Sequence, residues 1–276
     1  MSAAAPFAYV NGELHAERVP LSSVAAQFGT PCFVYSREAL GGAWREFDAA
    51  FAALPHLVCY AVKANANLGV LDVFARLRSG FDIVSAGELA RVAAAGGDAR
   101  HVVFSGVGKT EAEMEAALAA DILCFNVESP SELALLAAVA HRMGRSAPVS
   151  FRVNPDVDPG THPYIATGLR ESKFGIDIEE APALYRHAAT LPSVAVRGVD
   201  LHIGSQITEL APYRQAVEKM LSLVDALAAS GIALTHIDVG GGLGIRYRDE
   251  TPLPLAEYAA MLAQLFRGRR EMLLLA

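Results

Sequence analysis

Short apolar runs recur along the chain at Leu57–Ala64, Gly80–Ser85, His101–Ser105, Ile122–Val127, Val149–Asn154, Val196–Ile203, Leu234–Val239 and Glu271–Leu275. Each has the length and β-branched content of a buried strand. Most intervals between them carry a helical pattern instead. From Pro212 to Ala229, residues Val217, Met220, Leu221, Val224 and Leu227 share one face, and Gly231 ends the helix. Ser129 caps a helix to Met143 with Pro130 at its first position, and Glu179–Ala189 and Leu255–Leu265 are further helices. Ahead of the alternation, Ala8 to Pro20 predicts short strands with a hairpin at Asn11-Gly12. Ser22 is expected to cap a short helix through Gln27 that ends at Gly29. Cys32–Tyr35 reads as a strand, and Ser36 as the cap of a helix to about Ala53.

Eight strand runs alternating with helices predict a closed parallel (β/α)₈ TIM barrel, an α/β fold. A doubly wound sheet has the same alternation and is the competing architecture. The length of 276 residues fits one barrel of about 250 residues plus a short N-terminal extension. Residues 1–30 form that β-containing extension and residues 31–276 the barrel. The longest interval without a helical pattern is Pro155–Gly175, and loops of that length are commonly functional.

A net charge of −7 and pI near 5.6, with no basic run, argue against nucleic-acid binding. No apolar stretch reaches the roughly 18 residues of a membrane span. The N-terminus lacks the basic and apolar regions of a signal peptide, so a cytoplasmic location is the default. Cys32, Cys59 and Cys124 have no metal-type spacing and sit in apolar runs, which suits small buried hydrophobes. No metal is expected.

The strand ends carry the candidate chemistry, because barrel active sites form at the C-terminal ends of the strands. Lys63 closes the apolar run Leu57–Val62, where an ammonium is costly to bury. An amine held there suits Schiff-base formation with a carbonyl; a strand-end lysine snorkelling to water is the alternative. Asp82 and Ser85, Ser105 and Gly106, Asn126 and Glu128, Arg152 and Asn154, and His202 and Ser205 occupy the corresponding places on later strands. Arg152 needs an acidic partner or an anionic ligand, with Asp82 and Glu88 as candidates for it or for Lys63. Glu88 equally suits the first turn of the next helix. Gly240-Gly241-Gly242 offers bare backbone N–H groups to a phosphate, or is simply a tight turn. Its spacing is not that of a dinucleotide fingerprint.

Taken together, Tyr60–Asn67, Phe81–Glu88, FSGVGK (104–109), FNVES (125–129), Arg152–Gly175, HIGSQI (202–207) and DVGGGLG (238–244) resemble the alanine-racemase-type (group IV) pyridoxal-phosphate decarboxylases. Thr161–Gly168 and Lys173-Phe174-Gly175 resemble the branch that decarboxylates meso-2,6-diaminopimelate to L-lysine. The resemblance covers nearly the whole chain. It implies an alanine-racemase N-terminal type of barrel and pyridoxal 5'-phosphate as cofactor. Lys63 would hold the cofactor aldehyde, and His202 would stack on its ring. Ser205 with the backbone of Gly240, Gly241 and Gly242 would hold the phosphate, and Asp82 and Arg152 would complete the polar surroundings. The substrate is then a small amino acid, and full-length members are homodimers with shared sites.

Full-length family members continue into a β-rich domain carrying Glu-Pro-Gly-Arg and Cys-Glu-Ser segments, and neither segment occurs here. The missing glutamate would pair the cofactor's ring nitrogen, so this chain is expected to decarboxylate poorly or not at all. The extension is expected to pack on that further domain. A non-catalytic pyridoxal-phosphate-binding barrel is the alternative function. A racemase would need an acid/base group on the opposite ring face.

Overall fold

Along each strand run successive residues face opposite sides of the sheet, and this parity builds the molecule. The computed structural model describes residues 5–158 and 174–276. A small antiparallel sheet comes first: β1 (Phe7–Val10), β2 (Glu13–Ala16) and β3 (Val19–Pro20), in the order β1-β2-β3. The predicted hairpin turn is present, with Asn11 at φ 52° and Gly12 at φ 85°, both in the left-handed region the tightest hairpin turns need. Helix α1 (Leu21–Phe28) follows. Ser22 does not cap it; its hydroxyl donates to Glu13 across the extension. Cys32–Tyr35 is not a strand, and Cys32 is exposed rather than buried, because no strand among the described residues pairs with that segment. Helix α2 (Arg37–Ala50) begins as expected, with the Ser36 hydroxyl accepting from Ala39 N–H at 3.0 Å. Glu17 ties the extension to this helix by accepting from Ser36 Oγ and Glu38 N–H, each at 2.8 Å.

The eight predicted runs become β4 (His56–Ala61), β5 (Gly80–Ile83), β6 (Val102–Phe104), β7 (Cys124–Val127), β8 (Ala147–Asn154), β10 (Val194–Asp200), β11 (His236–Asp238) and β12 (Met272–Leu275). All pair in parallel, and the β8–β10 pairing closes the ring. Closure decides against the doubly wound sheet: this is a TIM barrel with an N-terminal β extension. A two-residue strand, β9 (Ile176–Asp177), prolongs the pairing of β8. Outside the ring stand α3 (Leu68–Arg76), α4 (Ala86–Ala94), α5 (Glu111–Ala120), α6 (Pro130–Arg142), α7 (Ala181–Ala189), α8 (Leu210–Ala229) and α9 (Leu255–Leu265), with α2 packed between α3 and α9. Ser129 caps α6, accepting from Glu132 N–H at 3.1 Å, with Pro130 at its first position.

Two faces follow from the period of two. Phe81, Ile83, Val102, Phe104, Phe125, Val127, Val149, Phe151, Val199, Ile237, Leu273 and Leu275 join the helices in the main core. Residues of the opposite parity fill the ring. Cys59, Val103, Cys124 and Leu274 pack together there. Ser150, Asp200, His236 and Asp238 are also buried with inward parity. Gly198 is glycine for space: a Cβ would lie 2.1 Å from His236 Nε2, so that imidazole covers the strand at this point.

Candidate active site

At the C-terminal ends of the strands the barrel opens into a cavity of about 450 Å³. Strands β4 to β8 deliver Ala61, Lys63, Asp82, Ser105, Asn126 and Arg152 to it, joined by Phe174. The other half of the ring supplies Asp200, His202, Ser205, Gly240, Gly242 and Ala276. Of the eight residues that the resemblance places around the cofactor, seven line one cavity: Lys63, Asp82, Arg152, His202, Ser205, Gly240 and Gly242. Gly241 lies just behind, where its N–H donates to His202 Nδ1 at 3.4 Å. Residues 161–168 and Lys173, which carried the substrate-branch resemblance, lie outside the described residues.

Lys63 is not inside a buried strand. β4 ends at Ala61, and Lys63 sits on a 3₁₀ turn at Val62–Ala64, exposed at the cavity mouth. Its claim to function is therefore position, not forced desolvation. Asp82, one strand over, is buried and accepts from Ser105 Oγ at 2.6 Å, while Asn126 Nδ2 donates to the same hydroxyl at 3.2 Å. Burial holds the Asp82 carboxyl above its ordinary range, against the Ser105 hydrogen bond and the charges of Lys63 and Arg152, which lower it.

His202 stands beyond the end of β10, half-buried. Desolvation first, then the positive charges of Arg152 and Lys63, depress it to about 3, so its ring is neutral at pH 7. Because Nδ1 accepts from Gly241, the ring proton belongs on Nε2. The glycine loop presses against the 201–204 loop at backbone distance. A Cβ on Gly240 would come within 2.4 Å of Leu201 O, one on Gly241 within 2.4 Å of Ala276 O, and one on Gly242 within 2.0 Å of Gly204 O. Ile207 N–H to Gly242 O and Gly244 N–H to Ile207 O, both 2.9 Å, zip the two loops together. Gly240 N–H is used by Asp238 Oδ1 at 2.8 Å and Gly241 N–H by His202. Of the three amides, only that of Gly242 has no hydrogen-bond partner among the described residues, and the Ser205 side lies on the same cavity.

Arg152 is paired with neither Asp82 nor Glu88. Its partner is Glu128, with Nη1 at 3.5 Å from both carboxylate oxygens, while its guanidinium lies 4.9 Å from the Phe174 ring centroid. Glu88 turns back instead to accept Val84 N–H at 2.7 Å. Below the rim, Lys109 is buried and donates to Gly106 O (2.7 Å), Asn126 O (2.8 Å) and Glu132 Oε1 (2.7 Å), locking the ends of β6 and β7.

Two aspartates escaped the sequence argument. Asp200 and Asp238 are register partners on β10 and β11, both buried, and Arg152 flanks Asp200 on β8. Burial raises both carboxyls; the charge of Asp238 raises Asp200 further, and that of Asp82 adds to the rise of Asp238, which reaches about 7. Strand parity is the signal that exposes them, since they share the inward phase of His202 and Gly240.

A lysine amine, a neutral imidazole, a guanidinium held by a carboxylate and a glycine amide without a partner among the described residues thus meet at one barrel mouth. Pyridoxal-dependent decarboxylase, pyridoxal binding domain, is the family matched by residues 38–271, and the chain belongs to it. More particularly, the chain is similar to diaminopimelate decarboxylases. It is 58% identical to that of Vibrio cholerae serotype O1 over 94% of this chain and 62% of the relative, and 57% identical to that of Pseudomonas aeruginosa over 95% and 63%. The crystal structure of diaminopimelate decarboxylase from Helicobacter pylori complexed with L-lysine superposes with a TM-score of 0.89 at 38% identity, covering 92% of this chain and 65% of that one. The chain therefore spans less than two thirds of the length of these relatives. No helix among the described residues is long and apolar enough to cross a membrane, and no group of three or more potential metal ligands occurs among them.

Proposed function

We propose that this chain is the cofactor-holding barrel of a pyridoxal 5'-phosphate-dependent carboxy-lyase that converts meso-2,6-diaminopimelate to L-lysine and carbon dioxide. The observation that carries the proposal is the meeting of Lys63, His202, Arg152, Ser205 and the glycine loop around one cavity at the strand ends. These residues fit the cofactor chemically. Lys63 would offer its amine to the cofactor aldehyde, and Ser205 with the Gly242 N–H would hold the phosphate. Gly240 and Gly241 shape the cradle through their backbone packing, since their own N–H groups are already used. His202 would offer a flat, uncharged ring to the cofactor ring, kept in one tautomer by Gly241. Asp82 and Arg152 set the charge around the reacting amine. When bound, pyridoxal 5'-phosphate supplies the electron sink that lets the carbon–carboxylate bond break.

The wider reading concerns the whole protein. Residues 1–30 would dock on a further domain, and the whole protein would be a cytoplasmic homodimer. Exposed Tyr9 (75%), Phe28 (71%) and Phe33 (90%), with Phe7, Val10 and Val19, form apolar surface on and beside the extension that suits such a partner. Free cysteines, including exposed Cys32, suit a reducing compartment. The test is carbon dioxide release by the whole protein supplied with pyridoxal 5'-phosphate. Release from meso-2,6-diaminopimelate well above that from lysine or ornithine is expected; equal release from all three, or none, refutes the assignment.

A further inference from the structure

Glu128 lies at the rim of the barrel with its side chain 2% exposed, yet it is not among the residues that line the cavity. Its carboxylate accepts from three separate segments. Gly106 N–H, on the loop after β6, reaches Oε1 at 3.0 Å. Gly175 N–H, just before β9, reaches Oε2 at 3.2 Å. Arg152 Nη1, on β8, stands 3.5 Å from both oxygens. Its own backbone is fixed as well, because Glu128 N–H donates to Glu132 Oε2 at 3.0 Å and Glu132 is held by buried Lys109. The carboxylate is therefore anchored from below and grips from above. Removing either Glu128 or Arg152 would leave the other without its partner inside the protein.

We propose that Glu128 is a positioning residue for the cofactor site: it holds the Arg152 guanidinium between its carboxylate and the Phe174 ring, and thereby fixes the positive charge that faces the cavity. Resting on the cofactor reading above, the assignment adds a residue that touches neither cavity nor ligand. It makes one demand that a general structural role does not, namely that Glu128 acts through Arg152.

A double-mutant cycle tests it. Wild type, Glu128→Gln, Arg152→Gln and the double variant are titrated with pyridoxal 5'-phosphate, read by visible absorbance. Loss of a charge-assisted partner predicts about tenfold or more weaker binding for Glu128→Gln when Arg152 is present. In the Arg152→Gln background the same change should alter binding by less than about twofold. An equal loss in both backgrounds, or no loss in either, overturns the proposal. Should wild type bind no cofactor, the cofactor reading fails, and urea unfolding of the same four proteins decides the clamp. Coupling of about tenfold in the unfolding constant supports it, and additivity within about twofold overturns it.

Discussion

Asp238→Asn probes the least conventional part of the barrel. Asp238 is fully buried beside its register partner Asp200, and its Oδ2 has no hydrogen-bond partner among the described residues. Burial, and then the charge of Asp82, move its carboxyl from 3.8 up to about 7, against the Gly240 N–H bond, which lowers it. Between those values the folded chain keeps a proton that the unfolded chain has released. Stability from this group is therefore fully present below about pH 4 and is lost as pH rises towards 7. The slope is about 1.4 kcal/mol per pH unit, or about 4 kcal/mol over the interval. Asparagine cannot titrate, and its carbonyl can still accept from Gly240. His202 and His236 act oppositely, being depressed to about 3 and about 4, so their contribution is lost on acidification below about 6.5. The informative quantity is thus the difference between variant and wild type, not the wild-type profile. Urea denaturation from pH 4.5 to 7 should show the variant gaining on wild type by about 1.4 kcal/mol per unit. A difference that is flat with pH, or that declines, refutes the buried-proton account.

Gly242→Ala should cost more stability than Gly268→Ala. Both positions have positive φ, which costs about 1–2 kcal/mol for alanine, but only Gly242 also meets a backbone oxygen at 2.0 Å. Thermal melts of the two variants compare them, and only Gly242→Ala should also weaken cofactor binding. Lys109→Met leaves Glu132 and two carbonyls buried without their donor, for an expected loss of about 3–5 kcal/mol in urea unfolding. Adding Glu132→Leu should restore part of that loss, whereas a further loss would show that the pair is not the cause.

The barrel was legible because its outward face is uniformly apolar: Phe81, Ile83, Val102, Phe104, Phe125 and Val127 mark strands wherever they recur. Helix caps at Ser36 and Ser129 were readable from local chemistry alone. Ser22 looked the same in sequence, but its hydroxyl is taken by Glu13 from a neighbouring strand, a long-range competitor that spacing cannot reveal. Cys32–Tyr35 has strand-like residues and pairs with no strand among the described residues. Lys63 lines the cavity without being forced into a buried strand: the apolar run continues past the end of β4 to buried Val62, and the lysine stands exposed on the turn that follows. The cavity-lining residues at strand ends were visible as polar interruptions. Asp200 and Asp238 were passed over within apolar runs, although their inward phase was readable. The partner of Arg152 could not be inferred, since Glu128 reaches it from the neighbouring strand end across a closed ring.

Everything chemical in the account turns on where the cofactor carbon attaches. Borohydride reduction of the chain mixed with pyridoxal 5'-phosphate, followed by peptide mapping, reads that attachment directly. The account predicts a pyridoxyl label on Lys63, and no comparable label in Lys63→Ala. A label spread over surface lysines, or one undiminished in Lys63→Ala, contradicts it.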